Sequence, residues 1–214
     1  MRTDVGGSED VPVALFFRLP DAMGAVESAA LRLARGRVLD LGAGPGAHAV
    51  PLARSGLAVT AAELLPEARS ALRERGVADI RDGGLETLEP GERFDTVLVL
   101  MNGLGLPGSL AALGPFLSGL AAVLAEGGQI LADSTDPGRW DDPEDGRYPG
   151  EVHMQLGFEG RWGSPFPFLF VDARTLRDTA TAQGLDAAVV VEEKDGRYLA
   201  RITPKILRRA GVRA

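Results

Sequence analysis

The chain has 214 residues, of which 45% are hydrophobic and 25% are charged, and its formal net charge is −7. This length and composition indicate an ordinary globular domain with one core and exclude a disordered chain. The acidic balance argues mildly against nucleic acid as the main partner. The absence of cysteine excludes disulfides, thiolate metal sites and cysteine nucleophiles.

The N-terminal residues carry no targeting or membrane signal. The stretch MRTDVGGSED lacks the apolar core of a secretion signal, and no segment approaches the ~20 apolar residues of a membrane span. We therefore expect a cytoplasmic protein with no membrane partner. The basic tail, residues 204–214, is interpreted as a solvated helical end.

A polar leader and a helix are expected in residues 1–35. The helical pattern runs through DAMGAVESAALRLARG, in which Asp21 is placed to cap the helix and Gly36 to end it.

Short apolar runs and helical patterns then alternate as far as Ser134. The strand candidates are RVLDL, LAVTAAE, VADI, FDTVLVLM and GGQILADS, and the last helix among them spans residues 109–125 with Leu124 in its apolar stripe. The alternation indicates parallel pairing, because parallel neighbours need a long crossover. Such a sheet binds ligands at the carboxyl ends of its strands.

The pattern changes in residues 135–170. An acidic stretch rich in proline and glycine, TDPGRWDDPEDGRYPG, predicts a mobile functional loop, and EVHMQLGF and FPFLFVD are strand candidates. We interpret this segment as an inserted loop and hairpin that forms a lid over the substrate. Asp172 then caps a helix, and DAAVVVEE, KDG and RYLARIT form a closing hairpin.

The stretch RVLDLGAGPGAHAVPLA places three glycines between a strand and a helix. Gly42, Gly44 and Gly46 allow a tight turn and let a ligand approach the backbone without meeting a Cβ. Asp40, at the end of the strand, is placed to receive an ammonium group directly or through a water molecule. Pro51 is expected to remove a hydrogen bond and kink the helix.

The glycine loop by itself fits two classes of protein. Gly42, Gly44 and Ala47 also match the fingerprint of dinucleotide enzymes, so an NAD(P)-dependent oxidoreductase is one alternative. Glu63 lies about 20 residues after Gly42, the spacing of a ribose-binding acid in either class. A carboxylate suits two vicinal hydroxyls because it accepts hydrogen bonds and donates none. The alternative for Glu63 is a carboxylate that only stabilises the helix start at Pro66.

The order of VLDLGAGPG, AVTAAELLPEA, FDTVLVLMNGLG and AEGGQILADS, over about residues 36–134, resembles the class I S-adenosylmethionine-dependent methyltransferases. PVALFFR, LMNGLGLPGSL, GEVHMQL and YLARIT are similar to a bacterial group of small methyltransferases within that superfamily. The resemblance implies one domain over residues 1–214 with a Rossmann-like, doubly wound α/β fold. Its mainly parallel seven-stranded sheet would end in an antiparallel C-terminal hairpin and carry a small inserted β-hairpin. The implied activity is methyl transfer from S-adenosylmethionine to a small-molecule acceptor by in-line displacement.

The resemblance also assigns cofactor contacts. The glycine loop, with Ala43, flanks the methionine part of S-adenosylmethionine, Glu63 holds the ribose hydroxyls, and Leu64 lies against the adenine. Met101 and Asn102 line the site where the fourth strand ends.

One position departs from the pattern of the family, which has an acid after its third strand that accepts from the adenine amino group. Here DIRDGGLETL places Gly84 at that position. Asp82 takes the role only if the strand shifts by two residues. Otherwise, backbone groups near Gly84 and Leu85 hold the adenine.

Methyl transfer requires the protein to align donor and acceptor and to exclude water, because the sulfonium is already activated. Asn102 is a candidate for orienting the acceptor, or else only shapes a turn. His153 is the candidate base, although EVHMQL also fits a solvated polar strand face. Arg18 reaches the methionine carboxylate if the leader folds over the site, and is otherwise a surface arginine beside buried Phe16 and Phe17.

Three further expectations concern partners and binding groups. No metal site is indicated, because two separated histidines and scattered carboxylates give no ligand spacing. The protein is expected to be a monomer or a homodimer. A protein that binds S-adenosylmethionine without catalysis is a third functional class that the sequence leaves open.

Overall fold

The structure is a computed structural model that describes residues 1–5, 8–138, 140 and 146–205. Part of the predicted acidic loop and the tail from residue 206 onward lie outside the described residues. In the part of the chain that is described, no helix is long and apolar enough to cross a lipid bilayer.

The described residues form strands, α-helices and short 3₁₀ turns. The strands are β1 Arg2–Thr3, β2 Arg37–Leu41, β3 Ala58–Glu63, β4 Asp79–Asp82, β5 Phe94–Val99, β6 Leu124–Thr135, β7 Glu151–Gln155, β8 Gly157–Phe158, β9 Arg161–Trp162, β10 Phe166–Leu169, β11 Leu185–Glu192 and β12 Arg197–Pro204. The α-helices are α1 Ala25–Leu33, α2 Ala49–Arg54, α3 Pro66–Glu74, α4 Leu110–Ala122 and α5 Ala173–Ala182. The 3₁₀ turns are Val13–Phe17, Pro20–Ala22, Leu85–Thr87 and Gly103–Gly105.

Seven of the strands form one sheet in the order β11-β12-β6-β5-β2-β3-β4. Strands β2 to β6 are parallel, and β12 is antiparallel to both β6 and β11. The predicted α/β class, with a mainly parallel sheet and a closing hairpin, is confirmed. The strand order reverses between β2 and β5, and ligands of such sheets bind at the carboxyl ends beside that reversal.

An apolar layer covers each face of the sheet. Alternate residues of a strand point to opposite faces, so Val97 and Ile130 lie in one layer while Leu98 and Leu131 lie in the other. Leu117 of α4 packs in the first layer, and residues of α1, α2 and α3 complete the second. All five of these side chains are fully buried. Packing on both faces therefore fixes the position of the sheet and of its carboxyl edge.

Two predicted helix features are wrong. Asp21 does not cap α1, because it lies in the preceding 3₁₀ turn and Gly24 is the residue before the helix. Pro51 does not break a helical hydrogen bond, because α2 begins only at Ala49. Pro51 therefore lies in the first turn of α2, where an N–H has no intrahelical partner.

The predicted helix at residues 109–125 is shorter than expected. Ser109 caps α4 by accepting from the N–H of Ala112, and the helix ends at Ala122. Leu124 already belongs to β6, where it pairs with Phe94. Its apolar side chain is buried by the sheet rather than by the helix stripe.

The inserted segment forms a second sheet. Strand β7 pairs antiparallel with β10 and, on its other edge, with β1 from the leader. Val152 and Met154 of β7 pack with Phe170 in a small buried cluster, and Trp140 contacts Phe170 edge to face at 4.9 Å between ring centroids. The predicted hairpin is present, and the leader extends it to three strands.

Candidate cofactor site

The glycine loop after β2 turns on three left-handed residues. Gly42, Gly44 and Gly46 have φ angles of 72°, 54° and 94°, which residues with a Cβ rarely adopt. A Cβ on Gly44 would meet no atom within 4 Å, so the backbone borders open space there. A Cβ on Gly46 would lie 2.8 Å from Leu72 and 2.9 Å from Val50. Gly46 is therefore also required by the packing of the adjoining helices.

The base of this loop is anchored on the neighbouring strand. The N–H groups of Gly42 and Ala43 donate to the carbonyl oxygen of Ala62 at 2.9 Å and 3.2 Å. Ala43 is buried, whereas Gly42 is exposed. The loop therefore presents Gly42 and Gly44, rather than Ala43, to a ligand at the carboxyl edge.

Asp40, two residues before Gly42 in the chain, carries an unsatisfied buried oxygen. The residue is 1% exposed, and Oδ2 has no hydrogen-bond partner among the described residues. Burial raises the pKa of Asp40, although the nearby His48 and the N–H of Ala49 act against that shift. A buried polar atom without a partner is costly and uncommon. It fits a donor supplied by a ligand, such as the ammonium group of a bound amino acid.

Glu63 connects the glycine loop to the start of α3. It is 8% exposed, and its Oε2 accepts from the N–H of Gly44 at 2.8 Å while Oε1 accepts from the N–H of Leu65 at 2.8 Å. Each oxygen keeps a lone pair for a further donor. Leu64, at the same turn, is 70% exposed. The bond from Leu65, the residue before α3, matches the helix-start alternative, and the bond from Gly44 joins the carboxylate to the glycine loop.

The end of β4 lies beside Glu63. Asp82 is in register with Glu63, and its carboxylate pairs with Arg69 at 2.6 Å. Gly84 and Leu85 continue this edge, and Leu85 packs against the main core. The Asp82 side chain is 74% exposed, so the structure places it at the rim of the edge.

The backbone after β5 is strained at two consecutive residues. Met101 and Asn102 have φ angles of 65° and 57°, an uncommon region for residues other than glycine. The Asn102 Oδ1 accepts from the Thr135 hydroxyl at 2.8 Å, and Asp133 accepts from the N–H of Gly103 at 3.1 Å. Strain of this kind persists only where the surroundings hold it, and it concentrates at ligand sites.

Asp133 is the main support of that turn. It is buried and accepts from the backbone N–H groups of both Asn102 and Gly103. Burial raises the pKa of Asp133 to about 6, with the two N–H groups and the nearby His48 acting against the shift and Glu27 adding to it. Asp133 therefore holds the backbone of Asn102 and Gly103 through a carboxyl group whose pKa lies above its ordinary value.

Arg18 is not a surface arginine, because its side chain is buried and already has partners. A contact to a ligand would require Arg18 to give up these partners. Its guanidinium pairs with Glu27 and donates to the carbonyl oxygen of Leu15, and the side chain is almost fully buried. Glu27 also contacts His48 Nε2 at 2.7 Å. The alternative of a surface arginine beside buried Phe16 and Phe17 is wrong, because both phenylalanines are exposed. The leader does reach the loop, since Arg75 donates to the carbonyls of Pro45 and Phe17.

His153 of β7 faces away from the buried cluster that Val152 and Met154 form with Phe170. Its side chain is 57% exposed, and Nδ1 lies 3.2 Å from Asp4 Oδ2. The Asp4 carboxylate also accepts from the N–H of His153 at 2.8 Å. The structure thus gives His153 a carboxylate partner from the leader and does not place it among the residues that surround the glycine loop.

The sequence did not indicate the contacts that Glu27, Asp4 and Thr135 make. Glu27 follows Val26, which heads the apolar face of α1, but nothing in the helical pattern distinguishes a buried carboxylate there from a solvated one. Asp4 and Thr135 act on residues more than 30 positions away. Within the described ranges, no group of three histidines or acidic residues could hold a metal ion.

Comparisons with known proteins decide between the two classes that the glycine loop fits. A methyltransferase-domain family model matches residues 38–128. The structure of an S-adenosylmethionine-dependent methyltransferase from Bacteroides fragilis, in complex with S-adenosylhomocysteine, is 34% identical to this chain. The match covers 95% of this chain and 86% of the other, with a TM-score of 0.85.

Two more distant structures share the fold. DesVI from Streptomyces venezuelae is 19% identical over 85% of this chain and 91% of its own, with a TM-score of 0.65. The sugar N-methyltransferase KedS8 from Streptoalloteichus sp ATCC 53650 is 19% identical over 94% of this chain and 96% of its own, with a TM-score of 0.62. No functionally curated protein matches the chain significantly.

The site and the comparisons agree on the methyl donor. The open space at Gly44 and the unpartnered oxygen of Asp40 fit a nucleoside that carries an amino acid, and the similar Bacteroides protein was crystallised with S-adenosylhomocysteine. The oxidoreductase alternative receives no support from these matches. The chain belongs to the class I S-adenosylmethionine-dependent methyltransferases, and S-adenosylmethionine is its cofactor.

Proposed function

We propose that the chain methylates a small-molecule acceptor that binds between the inserted sheet and the carboxyl edge of the main sheet. One observation carries this proposal. The turn that follows Asn102 packs directly under β10, because a Cβ on Gly105 would overlap the ring of Phe168 and a Cβ on Gly108 would lie 3.1 Å from Pro167. The second sheet is therefore fixed beside the strained backbone after β5. A compact acceptor suits such a bordered space better than a macromolecule does.

Two carboxylates and one backbone segment are proposed to bind the methyl donor. Asp40 receives the ammonium group, the open backbone at Gly44 borders the methionine part, and Glu63 accepts from the ribose hydroxyls. When bound, S-adenosylmethionine supplies a methyl group on a positively charged sulfur. Transfer of this group to the acceptor would leave the electron pair of the broken carbon–sulfur bond on sulfur. The role of the protein is then alignment and exclusion of water.

Two residues are proposed for the acceptor side. Asn102 is held by Thr135 and by the Asp133 contact to the neighbouring backbone, so its position is fixed enough to orient an acceptor. His153, with Asp4 beside Nδ1, remains the candidate base for an acceptor that keeps its proton at neutral pH. His153→Gln is then expected to lower turnover without changing the affinity for S-adenosylhomocysteine.

The distant relatives are compatible with a small acceptor. KedS8 is a sugar N-methyltransferase, and CalS10 from Micromonospora echinaspora is an amino pentose methyltransferase, at 19% and 20% identity. The net charge of −7 also favours a small acceptor, because it disfavours an anionic nucleic acid in that role.

Turnover with a panel of acceptors tests the proposal. The protein is incubated with S-adenosylmethionine and amino sugars, phenols, amines or carboxylic acids, and the release of S-adenosylhomocysteine is measured. We expect one class of small molecule to support turnover that is lost in Asp40→Asn. Methylation of a protein or nucleic acid, with no small molecule accepted, would contradict the proposed acceptor class. Binding of the cofactor with no acceptor of any kind would favour the non-catalytic alternative.

A further inference from the structure

Aromatic side chains of the inserted sheet border the strained turn that follows β5. A Cβ on Gly105 would lie 2.3 Å from two atoms of the Phe168 ring, so the ring covers that glycine. Gly105 donates its N–H to the carbonyl of Asn102 at 2.8 Å. The Phe168 ring therefore contacts the same short turn as Asn102, the residue proposed to orient the acceptor.

The segment after β10 is fixed to this end of the main sheet. The N–H of Val171 donates to the hydroxyl of Ser134 at 2.9 Å. The next residue of that strand, Thr135, ends β6 and donates from its hydroxyl to Asn102 Oδ1 at 2.8 Å. Phe170, which precedes Val171, is thus held beside the carboxyl end of β6, at the same edge as Asn102.

Phe168, Phe170 and Trp140 form an aromatic layer at this edge that is incompletely covered. Phe170 is 7% exposed, and the rings of Trp140 and Phe168 contact it edge to face at 4.9 Å and 5.2 Å between centroids. These two outer rings are themselves only half-buried. Edge-to-face pairs are stabilised beyond the burial of apolar area. The open parts of the layer therefore favour a further aromatic ring over a saturated group of the same size.

A further apolar side chain connects this layer with the methyl-donor site. Leu106 follows Gly105 in the same turn and is 52% exposed. Its Cδ1 lies 4.0 Å from the position that a Cβ on Gly42 would take. Because Gly105 and Gly108 pack against β10 with no room for a Cβ, the turn that carries Leu106 is held in place. Apolar side chains therefore border the way from the glycine loop to Phe168.

We propose that the acceptor is an aromatic molecule that carries its accepting hydroxyl or amino group on or beside the ring. Its ring packs against Phe168 and Trp140, and its accepting atom points along Leu106 toward the methyl donor. That atom loses its proton as it takes the methyl group. The inference rests on the proposed function, because it names the acceptor class of the same site.

Asn102 fits this assignment. The Thr135 hydroxyl donates to Asn102 Oδ1, which leaves the two N–H donors of Nδ2 for a ligand. A hydroxyl oxygen or an amino nitrogen with a free lone pair accepts from such a donor. The site thus combines an aromatic layer for the ring with one donor for the group that is methylated.

Binding of matched ring pairs to the protein saturated with S-adenosylhomocysteine gives the test. The pairs are 2-naphthol with decahydro-2-naphthol, and benzylamine with cyclohexylmethylamine, and each affinity is measured by isothermal titration. We expect the aromatic member of at least one pair to bind more tightly by about fivefold or more, the scale of aromatic ring contacts. The proposal is overturned if neither aromatic member binds more tightly than its saturated counterpart.

Two variants locate the preference on the aromatic layer. Phe168→Leu is expected to remove most of it while leaving the affinity for S-adenosylhomocysteine unchanged, which also shows that the variant is folded. Phe158→Leu is the matched control, because Phe158 is 65% exposed on β8, and it is expected to change neither quantity. A preference that survives in Phe168→Leu, or that disappears in the control, would overturn the assignment.

Trp140 supplies a second measurement that does not depend on the Phe168 variant. The chain has two tryptophans, so Trp162→Phe leaves Trp140 as the only one. Its emission is expected to change when an aromatic member of a pair binds, and an unchanged emission on binding would count against the layer.

The turnover panel separates this inference from the proposed function. Methylation of amino sugars with no aromatic molecule accepted would overturn the aromatic class and leave the small-molecule proposal intact. If only a macromolecule is methylated, both fail.

Discussion

The Glu63 carboxylate accepts a 2.8 Å hydrogen bond from the backbone N–H of Gly44, which joins the end of β3 to the glycine loop after β2. This contact fixes a buried carboxylate at the carboxyl edge of the sheet, beside the reversal of strand order. It also joins the loop to the acid, although the two residues lie 19 positions apart in the chain.

The first prediction concerns the ribose contact. Glu63→Ala is expected to weaken binding of S-adenosylhomocysteine by about 1.5–3 kcal/mol, the scale of charge-assisted hydrogen bonds, when measured by calorimetry. Glu67→Gln is the matched control, because Glu67 lies in the first turn of α3 and is exposed. An unchanged affinity in Glu63→Ala, or an equal loss in the control, would show that the ribose is misplaced.

The second prediction concerns Asp40 and separates the two halves of the cofactor. Asp40→Asn is expected to weaken S-adenosylhomocysteine by roughly tenfold or more, because the buried oxygen that lacks a partner would no longer carry charge for the ammonium group. Binding of 5′-methylthioadenosine, which has no amino-acid part, is expected to stay the same. Equal weakening of both ligands would contradict the assignment of Asp40 to the methionine part.

The third prediction follows from the raised pKa of Asp133. Because its folded pKa is about 6, above the unfolded value of 3.8, the folded state binds the proton more tightly and this group lowers stability as pH rises from about 4 to about 6. Asp133→Asn removes that dependence while keeping an acceptor for the backbone turn. The free energy of unfolding of the variant, relative to the wild type, is expected to rise by on the order of 2–3 kcal/mol between pH 4 and pH 7. If the difference in unfolding free energy between variant and wild type did not change over this range, the raised pKa of Asp133 would be contradicted.

The fourth prediction concerns Glu27, whose pKa is shifted in the opposite direction to that of Asp133. Burial acts to raise the pKa of Glu27, but the hydrogen bonds from His48 and Arg18 outweigh it and lower the value to about 2, from an ordinary 4.5. The stabilisation is therefore present above about pH 4.5 and is lost as pH falls toward 2. Glu27→Gln is expected to cost on the order of 3 kcal/mol at pH 7 and much less at pH 2, by chemical denaturation. Equal stability of the two proteins at pH 7 would argue against the buried network.

Most of the regular elements, and the class of cofactor, could be predicted from local sequence patterns and their order. The apolar runs locate β2, β3, β5 and β6 because parallel strands that are covered on both faces are mostly apolar. Gly42 and Gly44 are informative because few other residues adopt their backbone angles. Strand and helix ends were less certain, as Leu124 shows, because an apolar residue is buried equally well at a helix end or a strand start.

The contacts that escaped prediction are those between segments far apart in the chain. The pairing of β1 with β7 joins residues about 150 positions apart, and the bond between Asp4 and His153 depends on it. Phe168 and Gly105 show the same limit. The ring lies against Gly105 because β10 packs on the turn after β5, and no local pattern in either segment reveals that contact.

The most direct test of the account is a crystal structure of the protein with S-adenosylhomocysteine bound. We predict the nucleoside at the carboxyl ends of β2 and β5, with both ribose hydroxyls within hydrogen-bond distance of Glu63 and the amino-acid nitrogen next to Asp40. A nucleoside bound elsewhere on the chain, or at this edge with Glu63 turned to solvent, would contradict the central claim.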